Sequence, residues 1–482
     1  MPKYDTLVTL VKPDSYEVEN HFYPKVLNAN LHPMVRTFMT MSHERIARRY
    51  CHLHPTIQYE DVITLLKSKN SLFRWGGADL FQTTDDEGRR QTVVIETNSS
   101  PSGQKSMPLL SDSEPHAGYE RLMQGSFIPL LNRRSLPQGD LAVLYDKNPM
   151  ETTGYAATLA DLTGKKVYHV PFFVDDPKPP ARFTSKGVLE IKYEGKWHPI
   201  RAALKYVTQR PWTRIPPLTK TFIFNPVVCC LAGGRNKMMA SKAYDLQNAQ
   251  FDESRLQIQA PETIWDVQHE DIPLWVNRMG GIACIKNPYS NAGQGVWTVT
   301  SPKELETFMQ IEQRYDRFIV QSLIGNRHWS SKSRHGFYYH VGTMPDRHNN
   351  IFVFDIRFMV GSGPEGFFPV SMYARRARKP LVEHIDAETS SWDILGTNLS
   401  VRLEDGGWKT ESNRLMLMDQ KDFNKIGFSI DGLIEAYIQT VLSVKAIDTM
   451  SKRFITQKKK FRRKFFRRMN PDPAFVNEIC KY

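Results

Sequence analysis

The chain has 482 residues, 40% of them hydrophobic, and a formal charge of +13, the make-up of a soluble globular protein too long for one ordinary core. Ten Lys and Arg from Lys452 to Arg468, with no acid among them, leave about +3 for everything else, so the basic balance belongs to a tail and not to the fold. Five cysteines without paired spacing exclude a disulfide framework and a CxxC zinc site and fit a reducing cytosol; no apolar signal core opens the chain, and its longest apolar run, near Phe222 to Ala232, is broken by Asn225 and Pro226, so a cytoplasmic protein without a transmembrane segment is expected.

In chain order, helices are expected around Ser42 to Arg49 and Glu60 to Lys67. Gly77 to Thr83 then reads as a strand, Asp85 to Gly88 as a turn, and the run from Val93 as a second strand that Pro101 and Gly103 end. Side chains two apart on a strand share a face, so Glu96 and Asn98 form a two-point oxygen site. If Glu87-Gly88 is a two-residue hairpin loop, Asp79 falls directly opposite Glu96. Two facing carboxylates repel unless a cation lies between them, and Mg²⁺, a hard ion that takes oxygen ligands, is the economical occupant.

A Ser-, Pro- and Gly-rich loop (Ser99 to Ser113) leads to a helix near Gly118 to Leu131. A new unit is expected from Asp140, where strand Leu141 to Tyr145, helix Thr152 to Leu162 and strand Lys166 to Val170 make a crossover and hence a parallel sheet. Val188 to Tyr193 and Trp197 to Ala203 read as a hairpin, and Phe222 to Pro226 closes the unit. Gly233-Gly234-Arg235-Asn236-Lys237 opens a helix through Tyr244. Strands follow at Gly281 to Ile285 and Phe318 to Gln321, separated by a helix whose Ser301 and Glu304 have capping-box spacing. Further strands are expected at Ile351 to Val360 and Phe367 to Tyr373, and a helix around Ile430 to Val444 leads into the basic tail. The division expected is 1–139, 140–228, 229–450 and 451–482.

A second chemical signal lies in Cys284-Ile285-Lys286, a strand ending in lysine, and the small-residue loop after it, which holds Asn291, Gly293, Gln294 and Gly295. Such a loop brings backbone N–H groups against phosphate oxygens while the lysine adds a fixed charge. Gly361-Ser362-Gly363-Pro364-Glu365-Gly366 satisfies GxGxxG but is followed by a strand and not a helix, so it reads as a hairpin turn. Cys51-His52-Leu53-His54 has no second ligand pair and reads as packing, and Cys229-Cys230 as core. In the tail, a helix would put Phe461 and Phe465 on one side of the basic stretch. That face suits an anionic membrane surface, nucleic acid or an acidic polypeptide, or it simply covers the rest of the protein.

Together these motifs resemble the ATP-grasp superfamily. Gly77-Ala78-Asp79 and Glu96-Thr97-Asn98-Ser99-Ser100-Pro101 are similar to its metal hairpin, and Phe354-Asp355-Ile356-Arg357 and Glu-x-Asn-Ser-Ser-Pro to motifs of tubulin tyrosine ligase-like enzymes. Lys286 with the Gly293/Gly295 loop resembles the phosphate lid, Gln321-Ser322-Leu323 the hinge beside adenine, and Asn236-Lys237 the first phosphate lysine. The hairpin precedes the lysines here, an order that resembles a circularly permuted ATP-grasp such as eukaryotic glutathione synthetase. Residues 1 to 70 and 140 to 225 carry no such motif.

The resemblance implies an α/β ATP-grasp fold with an inserted parallel-sheet substrate domain, and ligation of a small carboxylate to an amine through an acyl phosphate, with ATP and Mg²⁺ (or Mn²⁺). Asp79, Glu96 and Asn98 would hold the metal, and Lys237 and Lys286 the phosphates. Arg357 would stabilise the transferring phosphoryl group, with Arg375 or Arg376 on the acyl oxygen or substrate carboxylate. Asp355, one residue from the other face, is expected to be structural, and Asn398 a further polar contact. A phosphotransferase and an inactive nucleotide-binding module docking through the tail are the alternatives.

Overall fold

The computed structural model describes residues 7–111, 113–250, 256–290, 293–386, 389–402 and 408–481. Thr9–Val11 (β1) leaves the N-terminal arm to become the antiparallel edge of a sheet whose other strands come much later, so the unit expected to begin at Asp140 also draws on the first residues of the chain. The two expected helices form at His43–Leu53, capped by the Ser42 hydroxyl, and at Tyr59–Lys67.

Trp75–Thr84 (β2) and Arg90–Ser99 (β3) pair as the expected hairpin. Its connection is longer than expected: Thr84 faces Arg90, and the loop Asp85–Arg89 is held by the Asp85 carboxylate, which accepts from the Glu87 and Arg89 N–H groups at 3.0 Å each. On that ladder Asp79 would meet Ile95. A β-bulge corrects it: Leu80 faces Val94 and Asp79 faces Glu96, with Ile95 left over. The expected pairing of Asp79 with Glu96 is therefore present, reached by a longer loop and a compensating bulge. The helix expected to run to Leu131 is Ala117–Leu122 only, continued by one π turn and one 3₁₀ turn because Pro129 interrupts the α ladder.

Asp140–Tyr145 (β4), Val167–Pro171 (β5), Ala181–Phe183 (β6), Leu189–Tyr193 (β7), Lys196–Tyr206 (β8) and Phe222–Phe224 (β9) build the second sheet with β1. Strand β4 runs parallel to β5 and β8, and β8 to β9. The centre is parallel as expected, but β1, β6 and β7 run antiparallel at its edges, so the sheet is mixed. The crossover helix Pro149–Thr163 buries Tyr155, Ala156 and Leu159 on it.

The helix Lys237–Gln250 follows, its first turn capped by Asn236 Oδ1 accepting from Met239 N at 3.2 Å. Thr263–Gln268 (β10), Ala283–Lys286 (β11), Val296–Val299 (β12) and Arg317–Gln321 (β13) form an antiparallel sheet in the order β10-β13-β11-β12. Helices Ile272–Arg278 and Pro302–Met309 cover one face, packing Val276 and Phe308 with Ile285 and Phe318. Ser301 caps the second helix as expected, while Glu304 reaches one residue further back than a capping box requires, accepting from Thr300 N at 2.6 Å.

Tyr339–His340 (β14), Phe354–Gly363 (β15) and Gly366–Arg376 (β16) return to the first hairpin: β15 lies between β2 and β16, and β14 extends β2. The GxGxxG stretch is the β15–β16 turn, with Gly363 facing Gly366. Helix Ile430–Arg453 packs on the β2/β3/β15 face through fully buried Leu433, Tyr437 and Val441.

The tail departs from expectation. Phe461 bridges back to Ile455 and precedes the helix Arg463–Met469, so Phe461 and Phe465 do not share a helix; Phe454 and Phe466 are fully buried and in ring contact, with Phe461 against Phe466 and Phe465 against Phe454. Pro473–Ile479 then straps the molecule together. Asp472 Oδ2 accepts from the N–H groups of Asp316 (2.8 Å) and Arg317 (3.0 Å) at the start of β13, Glu478 pairs with Arg314 (2.9 Å) and Arg210, and Lys481 N donates to Thr213 Oγ1 at 2.6 Å.

Candidate functional site

Strand pairing carries the acids to one place. Asp79 faces Glu96 on one side and Arg357 on the other, and Arg357 in turn faces Tyr373, two residues before Arg375 on the same side of β16. Arg357 grips Asp79 with two hydrogen bonds, at 2.6 and 2.7 Å, and Arg375 Nη2 adds a third at 2.9 Å. Arg375 also holds Asp355 bidentately, with Nε 2.9 Å from Oδ1 and Nη2 on Oδ2. Asp355 thus lies on the same face as Arg357, not the opposite one, because the two are two residues apart on one strand. Two buried acids face two guanidiniums here, Arg375 buried and Arg357 partly so, and the two acids respond differently: burial raises the Asp355 carboxyl against the pull of Arg375. Burial alone would raise the Asp79 carboxyl, but Arg357 and Arg375 overcome it and hold it well below the ordinary carboxylate range.

The β10–β13 sheet supplies the opposing wall. Lys286 closes β11 with its Nζ 2.6 Å from Gln321 Oε1, and Gln321 Nε2 is fixed in turn by Thr263 Oγ1 at 2.8 Å. Lys237, the first residue of its helix, places Nζ 3.1 Å from Glu96 Oε2 and 3.5 Å from the Ser290 carbonyl. Tyr244, two turns along, hydrogen-bonds Thr97 at 2.6 Å and locks that helix to β3.

Two adjoining cavities result. The smaller, about 120 Å³, is walled by Asp79, Glu96, Lys237, Lys286, Gln321 to Leu323, Arg375 and Asn398, with Phe81, Ile324 and Leu395 as its apolar part. The larger, about 500 Å³, shares Ile95, Glu96, Lys237, Lys286 and Gln321 and adds Arg235, Tyr244 and Arg334, a volume ordinary for a small-molecule site. Gly293 (φ +78°) and Gly295 (φ +68°) shape the loop over this region; a Cβ on Gly293 would stand 2.6 Å from the Trp392 ring and 2.9 Å from Asn398 Nδ2.

Of the residues singled out in the sequence, Asp79, Glu96, Lys237, Lys286, Gln321, Ser322, Leu323 and Arg375 converge on the smaller cavity. Arg357 stands behind Asp79. Arg376 alternates to the other face and lies over the Phe352 ring, 4.5 Å from its centre. Gln294 is exposed, and Asn291 lies outside the described residues. The hinge amides are already engaged: Ser322 N donates to Glu262 O at 2.8 Å and Leu323 N to Ser331 Oγ at 2.7 Å. His340, Trp392 and Arg235 line the cavities without having been picked out. Arg235 sat inside the quoted Gly-Gly-Arg-Asn-Lys run; for Trp392 the sequence offers no signal. His54 pairs with Glu435, and Cys229 and Cys230 are buried, all away from both cavities.

Glu96 offers a carboxylate to both cavities, whereas Asn98 lines neither; its buried Nδ2 has no partner, and a half-turn of the amide would put an oxygen, the donor type a hard divalent ion takes, at that position.

No protein-family model matches the chain, and no curated protein matches it in sequence. Among solved structures, the chain is similar to a glutathione synthetase-like effector from Globodera pallida in its apo form, at 9% identity and a TM-score of 0.38 over 71% of this chain and 82% of that one. It is also similar to a RimK-domain ATP-grasp protein from Sphaerobacter thermophilus (15%, TM-score 0.29, 48% and 90% covered) and to the ATP-grasp ligase PsnB complexed with a minimal precursor (13%, TM-score 0.26, 63% and 100%). At these scores the likeness adds nothing to what the cavities themselves offer. Among the described residues no helix is long and apolar enough to cross a membrane.

Proposed function

We propose that the protein is a cytosolic, ATP- and Mg²⁺-dependent carboxylate–amine ligase with a circularly permuted ATP-grasp arrangement. One observation carries this reading: Asp79 and Glu96, from early in the chain, share a cavity with Lys237, Lys286 and Gln321 from more than a hundred residues later. The direct pairing of β2 with β15 supports the permuted order, since it joins the hairpin to strands far downstream.

In this reading Lys237 and Lys286 neutralise the phosphates of ATP, and the apolar wall of Phe81, Ile324 and Leu395 receives the base. Glu96 and Asn98, with Asp79 behind them, would hold Mg²⁺, which when bound would offset the phosphate charge. Both Asp79 oxygens are engaged by arginine in the resting protein. A shift of Arg375 from Asp79 towards the transferring phosphoryl group would remove one of the two contacts on Oδ2, which keeps Arg357 Nη2, and place positive charge where negative charge develops. The γ-phosphoryl group passes to the substrate carboxylate, giving ADP and an acyl phosphate. The amine nitrogen then attacks the acyl carbon, the C–O bond to phosphate breaks, and the nitrogen loses a proton as the amide forms.

The deciding experiment is ADP release across a panel of acids and amines with mass analysis of products. Release that needs both substrates and yields an amide supports ligation. A stable phosphorylated product with every amine offered would instead make the protein a phosphotransferase.

Two further outcomes are expected. Burial lowers the proton affinity of Lys286, with Lys237 adding to the effect against Cys284, Glu96 and Asp79. A cation with a depressed pKa is fully charged below that value and loses its charge as pH rises through it, sooner than an ordinary lysine near about 10.4. ATP affinity, followed by fluorescence titration, should therefore weaken in alkaline solution, and Lys286→Arg should remove that decline; an unaltered profile in the Arg variant would exonerate Lys286. Gly293→Ala, strained at φ +78° and with its Cβ against Trp392, should lower kcat/KM by roughly tenfold, because a misplaced positioning loop costs rate; full activity would show that the loop does not close against Trp392.

A further inference from the structure

Away from both cavities, two loops meet on the surface. One follows β13 and carries Asn326, His328 and Trp329; the other follows β16 and carries Val382, Glu383 and His384. Asn326 joins them. Its Nδ2 donates to the carbonyls of Val382 (2.6 Å) and Glu383 (3.1 Å), while its Oδ1 accepts from the N–H groups of His328 (2.8 Å) and Trp329 (3.1 Å). Trp329 Nε1 adds a bond to the Val382 carbonyl at 3.1 Å. One carboxamide thus sets the backbone on both sides, and the side chains that emerge are His328, Glu383 and His384.

Those three side chains converge. His328 Nε2 lies 3.2 Å and His384 Nε2 4.0 Å from Glu383 Oε1, the two rings are 4.9 Å apart, and the candidate ligand atoms all fall within 4.8 Å of one another. Among the described residues this is the one group of three or more His, Cys, Asp or Glu side chains with such spacing. Ligands about 2.1 Å from a tetrahedral ion stand roughly 3.4 Å apart. The His328–Glu383 pair already has that separation, and a modest rotation of exposed His384 supplies the third donor.

We propose that His328, Glu383 and His384 form a binding site for a borderline transition-metal ion, Zn²⁺ foremost, with water completing the tetrahedron. Two imidazoles and one carboxylate suit Zn²⁺ and are a poor match for Mg²⁺, which takes oxygen ligands. The site is separate from the Glu96/Asn98 oxygen site in both place and donor chemistry. Its consequence is mechanical. Val382 and Ile385, which flank the ligands, pack in the same small core as Leu323 and Leu395, two residues in the wall of the smaller cavity, so a bound ion would clamp the loop leaving the hinge strand to the loop leaving the Arg375 strand.

The test uses the full-length protein, stripped with chelator and titrated with Zn²⁺ against a chromophoric competitor, with Co²⁺ as a spectroscopic substitute. Wild type should bind one ion saturably and give a Co²⁺ visible band. His328→Gln/His384→Gln should lose that binding by more than roughly 100-fold, and Asn326→Ala, which removes only the support of the ligands, should weaken it about tenfold. All three ligands are exposed, so circular dichroism and the metal-free thermal midpoint of the double histidine variant should match wild type, while Asn326→Ala, which gives up four hydrogen bonds between the loops, should keep the circular dichroism and lower the midpoint. Absence of saturable binding in wild type, or equal affinity in the double variant, which keeps the rest of the 14 histidines, would overturn the proposal.

Discussion

Glu96→Gln should reduce ADP release by about 10³-fold, the scale seen when one preorganised electrostatic partner is removed from an active site, with the fold intact. The substitution keeps volume and hydrogen-bonding length but deletes the negative charge that stands opposite Asp79 and 3.1 Å from Lys237. Because the Glu96 side chain is 32% exposed, its pairing with Lys237 is worth at most about 1 kcal/mol after screening by solvent. Stability and turnover should therefore separate: thermal unfolding barely moves while catalysis collapses. ADP release at the wild-type rate would remove Glu96 from the metal set.

Arg375→Met should destabilise the protein by about 3–5 kcal/mol, the usual cost of stranding a buried charge. The guanidinium bridges Asp355 and Asp79, whose side chains are 4% and 10% exposed, and among the described residues Asp355 has no other ion pair. Asp79 keeps Arg357, so the damage falls on Asp355. Asp355→Asn combined with Arg375→Met removes both charges and should recover part of the loss, which is the sign of coupling and not of lost packing. Urea unfolding midpoints of the two variants decide it. A single variant within about 1 kcal/mol of wild type, roughly a fivefold change in the folded-to-unfolded ratio, would mean that Asp355 is protonated or solvated.

The hairpin acids, the strand lysine and the parallel centre of the second sheet were legible because each rests on a short-range rule: alternation on a strand, a strand ending in a cation, a crossover between two apolar runs. The Asp79–Glu96 register was legible only through cancellation, since a sequence shows neither the longer turn nor the bulge. Side-chain competition was not legible at all. Nothing in Phe354-Asp355-Ile356-Arg357 says that Arg357 grips Asp79, or that Arg375 divides itself between two acids, because both pairings depend on which strands lie side by side. The strand β1 and the strap Pro473–Ile479 were missed for the same reason: each is short, and each is fixed by distant partners such as β5 and Arg314. In the tail the phenylalanines repeat at helical spacing, yet Phe461 turns back onto Ile455 before the helix begins.

Ile95 has no partner across the ladder, since Val94 faces Leu80 and Glu96 faces Asp79. Deleting it would join Val94 to Glu96 and carry the register of the turn straight through Asp79, leaving the two carboxylates face to face. What would disappear is a side chain common to the walls of both cavities. Divergent chains can therefore differ by one residue between the turn and the Glu-x-Asn pair and keep the same oxygen site. An ungapped alignment across that difference would assign the carboxylate to the wrong side of the sheet.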